Sequence, residues 1–270
     1  RSTALGYGTL ATQNFTTATN AYNTAVGFQS GDALTTGVQN TFVGGLSGSA
    51  AITSSYNVGV GVGALQNDTY GATSVAVGSD ALLAQNFTTA TNVYSTAVGY
   101  NAGNDITVGI RNTLIGALAG DALTDADYNV AVGMHSLGTD TLGSKSTAVG
   151  TDALATQNFT TATDAHNVGV GYSAGSAVTT GLYNVLIGSL AGDALSTGTR
   201  NVAVGMEALS TEDAHGYNTA IGHGTLKTLN AGANAYNTAV GFEAGTAVTT
   251  GIHNTLIGAN AGDALTDADT

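Results

Sequence analysis

Residues 23–39 read NTAVGFQSGDALTTGVQ and residues 112–128 read NTLIGALAGDALTDADY. The opening five letters form a phrase that begins again at Ser2, Asn23, Asn40, Asn57, Ser74, Ser95, Asn112, Asn129, Ser146, Asn167, Asn184, Asn201, Asn218, Asn237 and Asn254. Its second place is Thr or Val, its third is mostly Ala, and its fourth is Val, Ile or Leu. This alternation has the period of a short strand. The third place is large in one kind of unit, as Phe42, Leu114, Leu186 and Leu256. The fifth place is Gly in every copy, among them Gly27, Gly44 and Gly61. A fixed Gly after a strand marks a corner that needs positive φ or a close backbone approach.

A second rhythm rides on the first. Most units run 17 residues, but those opening at Ser2, Ser74 and Ser146 run 21 and that at Asn218 runs 19. Every fourth unit is therefore longer, and units four apart match best, with a super-repeat of 72 residues from Asn23 to Ser95 to Asn167. The other two unit types read NVAVGMHSLGTDTLGSK at 129 and STAVGTDALATQNFTTATDAH at 146. Nested duplication of this kind describes an array of coils. The periodicity predicts an all-β parallel β-solenoid of about fifteen 17-residue coils, one repeat domain over residues 1–270. Stacking at the strand spacing of about 4.8 Å predicts a rod on the order of 70 Å long. Because the chain starts in phase with a unit and ends in phase with one, it reads as a segment of a longer fibre.

The composition agrees. With no Trp, Pro or Cys, six Phe and 39 Gly, a core of large side chains cannot be built. Recurrent Ala, Val, Leu and Ile suit a narrow interior of stacked small and medium residues, which also disfavours disorder. A net charge of −13 makes nucleic acid a poor partner. No apolar run reaches the roughly 20 residues that span a bilayer, so no membrane insertion is expected of this segment. The lack of cysteine removes thiolate and disulfide chemistry without choosing a compartment.

Two columns of the repeat carry further information. The opening Asn, including Asn23, Asn40, Asn57, Asn112 and Asn129, is expected to form a structural ladder of side-chain amides. The last place reads Tyr22, Tyr56, Tyr94, Arg111, Tyr128, Lys145, His166, Tyr183, Arg200, Tyr217, Tyr236, His253 and Thr270, among others. Rings and cations one strand apart would stack as a stabilising ladder or serve as a ligand stripe.

The phrases NTAVG at 23 and 237, STAVG at 95 and 146, NVAVG at 129 and 201 and NTLIG at 112 and 254 resemble the head repeat of YadA-type trimeric autotransporter adhesins. They resemble still more closely the repeats of predicted phage tail-fibre proteins, and the likeness covers the whole chain. It implies a left-handed β-roll assembled as a homotrimer. Val26, Val43, Val60, Val77, Val98, Ile115, Val132 and Val149 would then face a shared axis. The adhesin repeat is shorter, about 14 residues, so these coils need longer outer turns. Small coils would also gain buried area by packing on identical neighbours.

The long units carry QNFTTAT at 13–19, 85–91 and 157–163. Their extra residues must bulge, and insertions in a solenoid gather on one face. Asn14, Phe15, Thr16, Asn86, Phe87, Thr88, Asn158, Phe159 and Thr160 are therefore the candidate surface contacts. The opposing reading is a loop that folds its Phe over the neighbouring coil. Asn14, Asn86 and Asn158, like Asn67, also fit the acceptor pattern for glycosylation. The acidic pairs Asp125/Asp127 and Asp267/Asp269 and the GDAL residues Asp32, Asp121, Asp193 and Asp263 lack the nonapeptide of calcium β-rolls, and two carboxylates leave most of the six to eight oxygens of calcium unsupplied. They are read as solvated turns. His135, His166, His215, His223 and His253 form no pair at metal-ligand spacing. No catalytic constellation and no phosphate loop is found, so neither catalysis, a metal nor a cofactor is expected.

The expected function is a structural or adhesive fibre shaft, a phage tail-fibre or bacterial surface adhesin segment that is extracellular, on a virion or cell surface. It would project a receptor-binding region towards a host surface or glycan. An ice-binding or other flat-surface monomer is the alternative. A glycan-depolymerising fibre is a further one, disfavoured because the repeat has few local exceptions.

Overall fold

The computed structural model describes residues 1–267. Asp269 and Thr270 lie outside the described residues. The chain is an all-β parallel β-solenoid of about fifteen turns of about 17 residues, with no helix among the described residues. It comprises two compact units, Arg1–Ala131 and Val132–Thr270.

In the first unit the phrases form parallel strands Thr3–Leu5, Thr24–Val26, Thr41–Val43, Val58–Val60, Val75–Val77, Thr96–Val98 and Thr113–Ile115, each pairing with the next in register. In the second, strands Thr147–Val149, Val168–Val170, Val185–Ile187, Val202–Val204, Thr219–Ile221, Thr238–Val240 and Thr255–Ile257 do the same. Strand Val130–Val132 falls on the boundary. Short pairs Gly71–Ala72 with Thr91–Asn92, and Gly143–Ser144 with Thr163–Asp164, lie at the long turns. The third place points inward and is buried, as in Ala25, Ala76, Ala148 and Leu186. The second and fourth places face out, because successive residues of a strand point to opposite sides.

The interior explains the four-unit period. Where the third place is large, as in Phe42, Leu114 and Leu186, the ninth is Gly48, Gly120 and Gly192; a Cβ at Gly120 would lie 2.8 Å from Leu114 Cδ2. Where the third place is small, as in Gly59, Ala76 and Ala148, the ninth is the buried Leu65, Leu82 and Leu154. In the remaining unit both places are small, and neighbouring coils fill the gap. At Gly103 an added Cβ would meet Leu114 Cδ1 at 2.7 Å and Leu82 Cδ2 at 3.0 Å, and at Gly175 it would meet Leu186 and Leu154 in the same way. Close packing at constant volume thus needs four coils before the pattern can repeat.

The fixed Gly of the fifth place has two causes. Gly188 sits at φ 134°, and a Cβ there would lie 2.5 Å from the carbonyl oxygen of Gly205, its equivalent in the next coil. Other positive-φ corners are filled differently. The seventh, ninth and last places are left-handed too, yet they hold Gln29, Leu65, Tyr94, Arg111 and Tyr183, at φ between 50° and 60°. Since an L residue there costs on the order of 1 kcal/mol, the coil contacts must override a local preference at several places per turn.

The Asn column is buried, and its amides tie two directions at once. Asn23 Nδ2 donates to Gly37 O across the same coil (2.8 Å), while its Oδ1 accepts the backbone N–H of Asn40 in the next coil (2.9 Å). Asn184 does both for Gly198 O (2.8 Å) and the Asn201 amide (3.0 Å). Only a side chain with a donor and an acceptor in fixed geometry can do this.

Candidate functional site

Two outward columns form an apolar stripe on each unit. One is the fourth place, from Val26 to Ile115 in the first unit and from Val149 to Ile257 in the second. The other is the sixth place, just past the corner Gly, where Tyr7, Phe28, Val62 and Tyr100, and then Met134, Tyr172, Met206 and Phe242, are exposed. Tyr100 and Tyr172 are each 58% exposed. Neighbouring rings stack along the stripe, Tyr7 on Phe28 at 5.6 Å and His223 on Phe242 at 5.3 Å. The fourth-place valines and isoleucines are thus outside the coil's own core, on the face that the adhesin resemblance would turn to a shared axis. The sixth place escaped the sequence reading because Gly45, Ser79, Ala117, Thr151 and Ser189 interrupt it.

The last-place column forms a second file. In the second unit His166, Tyr183, Arg200, Tyr217, Tyr236 and His253 make one run. His166 stacks on Tyr183 at 5.5 Å, Arg200 lies 5.1 Å from the Tyr183 ring and 5.5 Å from that of Tyr217, and Tyr236 stacks on Tyr217 at 4.9 Å and on His253 at 5.3 Å. In the first unit Arg111 lies over Tyr128, and its Nη1 donates to the phenol oxygen. The left-handed backbone of these residues turns the side chains out into one row, so the ladder is a product of the corner as much as of the rings.

The long turns divide the surface-contact residues. Asn86, Thr88, Asn158 and Thr160 are exposed, as are Asn14 and Thr16, while Phe15 is half-buried. Phe87 and Phe159 turn inward and are only 7% and 6% exposed, so their rings are not offered to a partner. What holds them is a buried carboxylate in the preceding coil. Asp140 Oδ1 accepts the amides of Gly143 (3.0 Å) and Phe159 (3.1 Å), and its Oδ2 accepts Gln157 Nε2 (2.5 Å). Asp68 likewise accepts the Gly71 amide (2.8 Å) and Gln85 Nε2 (2.6 Å). Burial pushes the Asp68 carboxyl above its usual value, against these donors. Gln85 and Gln157 also reach Ser74 and Ser146, which replace the ladder Asn in the long coils. Residues 17 apart with no local signature make this pin, so sequence reading passed over it.

No protein-family model matches the chain, and neither a curated protein nor a solved structure does.

The acidic and histidine residues take several places. Asp127 Oδ1 accepts the Ile110 amide at 2.7 Å, as Ser55 Oγ accepts that of Val38 at 3.1 Å, so this turn carboxylate acts as a backbone cap. Lys227 pairs with Glu207 at 2.5 Å and holds its carboxyl below the usual range, while burial pushes that of Asp193, in the GDAL motif, up. His135 meets Asp152 at 3.0 Å. In the second unit Glu212, Asp213 and His215 bring one ligand atom each to within 4.8 Å of one another. In the first unit Thr53, Ser55, Tyr56, Tyr70, Thr91 and Asn92 line an open cleft of about 360 Å³ beside a long turn.

Proposed function

We propose that this chain is a shaft segment of an extracellular fibre, of the tail-fibre or surface-adhesin kind, in which three copies pack side by side through the apolar stripe. The observation that carries this reading is the outward file of half-buried to exposed branched side chains at the fourth place, flanked by the exposed Tyr7, Phe28, Val62, Tyr100, Met134, Tyr172, Met206 and Phe242 of the sixth. Outward apolar side chains repeated along the coils, many of them exposed, are a large apolar area for a water-facing surface, and contiguous patches of that kind mark interaction sites. A partner with the same repeat covers such a stripe along its whole length, and closed cyclic symmetry keeps the coils in register. The likeness of the NTAVG phrases to trimeric adhesin repeats adds the number three. The role is mechanical rather than catalytic: regular coils space a tip from an anchor, and the exposed Asn and Thr of the long turns add weak, repeated contacts to a host surface or glycan.

Sedimentation of the purified chain tests this. The proposal expects a particle of three times 26.5 kDa, dissociated by the pair Tyr172→Asp and Phe242→Asp. A particle of a single 26.5 kDa chain at micromolar concentration refutes it.

A further inference from the structure

We infer that the second unit carries a binding site for one divalent transition-metal ion, of the zinc class, formed by Glu212, Asp213 and His215. The inference stands apart from the assembly reading and rests on a comparison within the chain. At three equivalent turns the twelfth, thirteenth and fifteenth places read Asp68, Thr69 and Gly71, then Asp140, Thr141 and Gly143, then Glu212, Asp213 and His215. In the first two turns the set is a closed hydrogen-bond pin. The carboxylate takes a Gln amide from the next coil, and Thr69 Oγ1 donates to Phe87 O (2.7 Å) as Thr141 Oγ1 does to Phe159 O (2.9 Å). Gly is required at the fifteenth place, where a Cβ would run into the Asp68 or Asp140 carboxylate.

The third turn is rewritten at every one of these positions together. The Gln of the next coil is Leu229, the Ser beside it is Asn218, and that coil is two residues shorter. The acid is longer, the Thr has become a carboxylate that can donate nothing to the loop, and the Gly has become His. Glu212 is fully buried, yet its contacts are now the amides of His215 (3.2 Å) and Ala231 (3.3 Å) and the ring nitrogen His215 Nδ1 (3.1 Å). Ligand atoms on a tetrahedral zinc at about 2.0–2.1 Å are about 3.3 Å apart, so the Nδ1 to Oε1 separation already approximates one edge of such a site. Asp213 is exposed, and a carboxylate oxygen of it lies within 4.8 Å of the other two ligand atoms, so it would be the third ligand, with the fourth position left to water. One imidazole with two carboxylates suits zinc, cobalt or nickel, and supplies too few oxygens for calcium. Binding would displace the proton on the Nδ1 edge and tie the shortened coil where the Asp–Gln pin is lost.

Titration calorimetry of the 270-residue chain with zinc chloride alone tests the inference. The expected result is about one ion per chain, weakened at least tenfold in His215→Gln, which keeps a hydrogen bond to Glu212, and in Asp213→Thr, which restores the residue of the other two turns. Circular dichroism checks that both variants fold, and Asp213→Thr, at an exposed position, decides the matter if His215→Gln does not. No binding by the parent chain, or unchanged affinity in Asp213→Thr, overturns it.

Discussion

A Cβ added at three different glycines isolates what the invariant corner contributes. At Gly45 it meets nothing within 4 Å and the backbone is outside the left-handed region. At Gly232 it also meets nothing, but φ is +70°. At Gly188 φ is +134° and the Cβ would lie 2.5 Å from Gly205 O, 2.6 Å from Gly205 C and 3.0 Å from Met206 N. Relief there requires the two coils to part by about 1 Å, which stretches the flanking bonds Gly205 N to Ile187 O (2.7 Å) and Glu207 N to Ser189 O (3.0 Å) beyond useful length. Two bonds at about 1–1.5 kcal/mol each and a backbone penalty of about 1–3 kcal/mol give Gly188→Ala a loss of about 3–6 kcal/mol. Gly232→Ala loses about 1 kcal/mol, from strain alone. Gly45→Ala gains up to about 1 kcal/mol by restricting the unfolded chain. Urea denaturation read by circular dichroism gives the three values, and hydrogen exchange at the Gly205 and Glu207 amides places the damage. If Gly188→Ala falls within about 1 kcal/mol of Gly45→Ala, the corner is not a steric requirement and the reasoning fails.

Asn184→Asp keeps the acceptor for the Asn201 amide but sets a buried carboxylate against Gly198 O, so a loss of about 3 kcal/mol is expected at pH 7, reduced on acidification; equal stability at both pH values in thermal melts would contradict it. The Asp68 carboxyl is raised by burial, so the folded chain holds its proton more tightly than the unfolded one; that contribution is present below the unfolded value of 3.8 and is lost as pH rises through the raised one. Asp68→Asn should remove this slope and, with Gln85 Oε1 free to accept once the amide turns over, be at least as stable at pH 7 by urea midpoint. A deficit of more than about 1 kcal/mol there would count against it. Tyr236 has φ 52°, so Tyr236→Gly and Tyr236→Ala lose the same stack, yet the Ala variant should be less stable by about 1 kcal/mol in denaturant titrations.

The coil was legible because its causes recur in one column. Asn23 and its equivalents hold the ladder, Gly27 and its equivalents the corner, and alternation within five residues marks the strand. Features made by residues from adjacent coils were not legible in the same way. Leu82 and Leu114 fill the space over Gly103 from either side, so the four-unit rhythm could be counted but not explained before the coils were stacked. Asp140 and Gln157 meet only through a full turn, and with them the fate of Phe159 changes from exposed loop to buried plug. The left-handed corners at Tyr94 and Arg111 lack the Gly or Asn that would announce them. Glu212 and His215 were visible as residues, but their proximity is a property of the rewritten turn.

The chain has no cysteine, so a single one introduced at a chosen place reports on side-by-side packing without background. Ile187→Cys lies in the outward fourth place and Tyr183→Cys in the last-place ladder. If copies pack through the apolar stripe in register, mild oxidation of Ile187→Cys gives a covalent dimer in high yield on a denaturing gel, and Tyr183→Cys gives little. Absence of the Ile187 cross-link, or equal cross-linking at both places, contradicts the account.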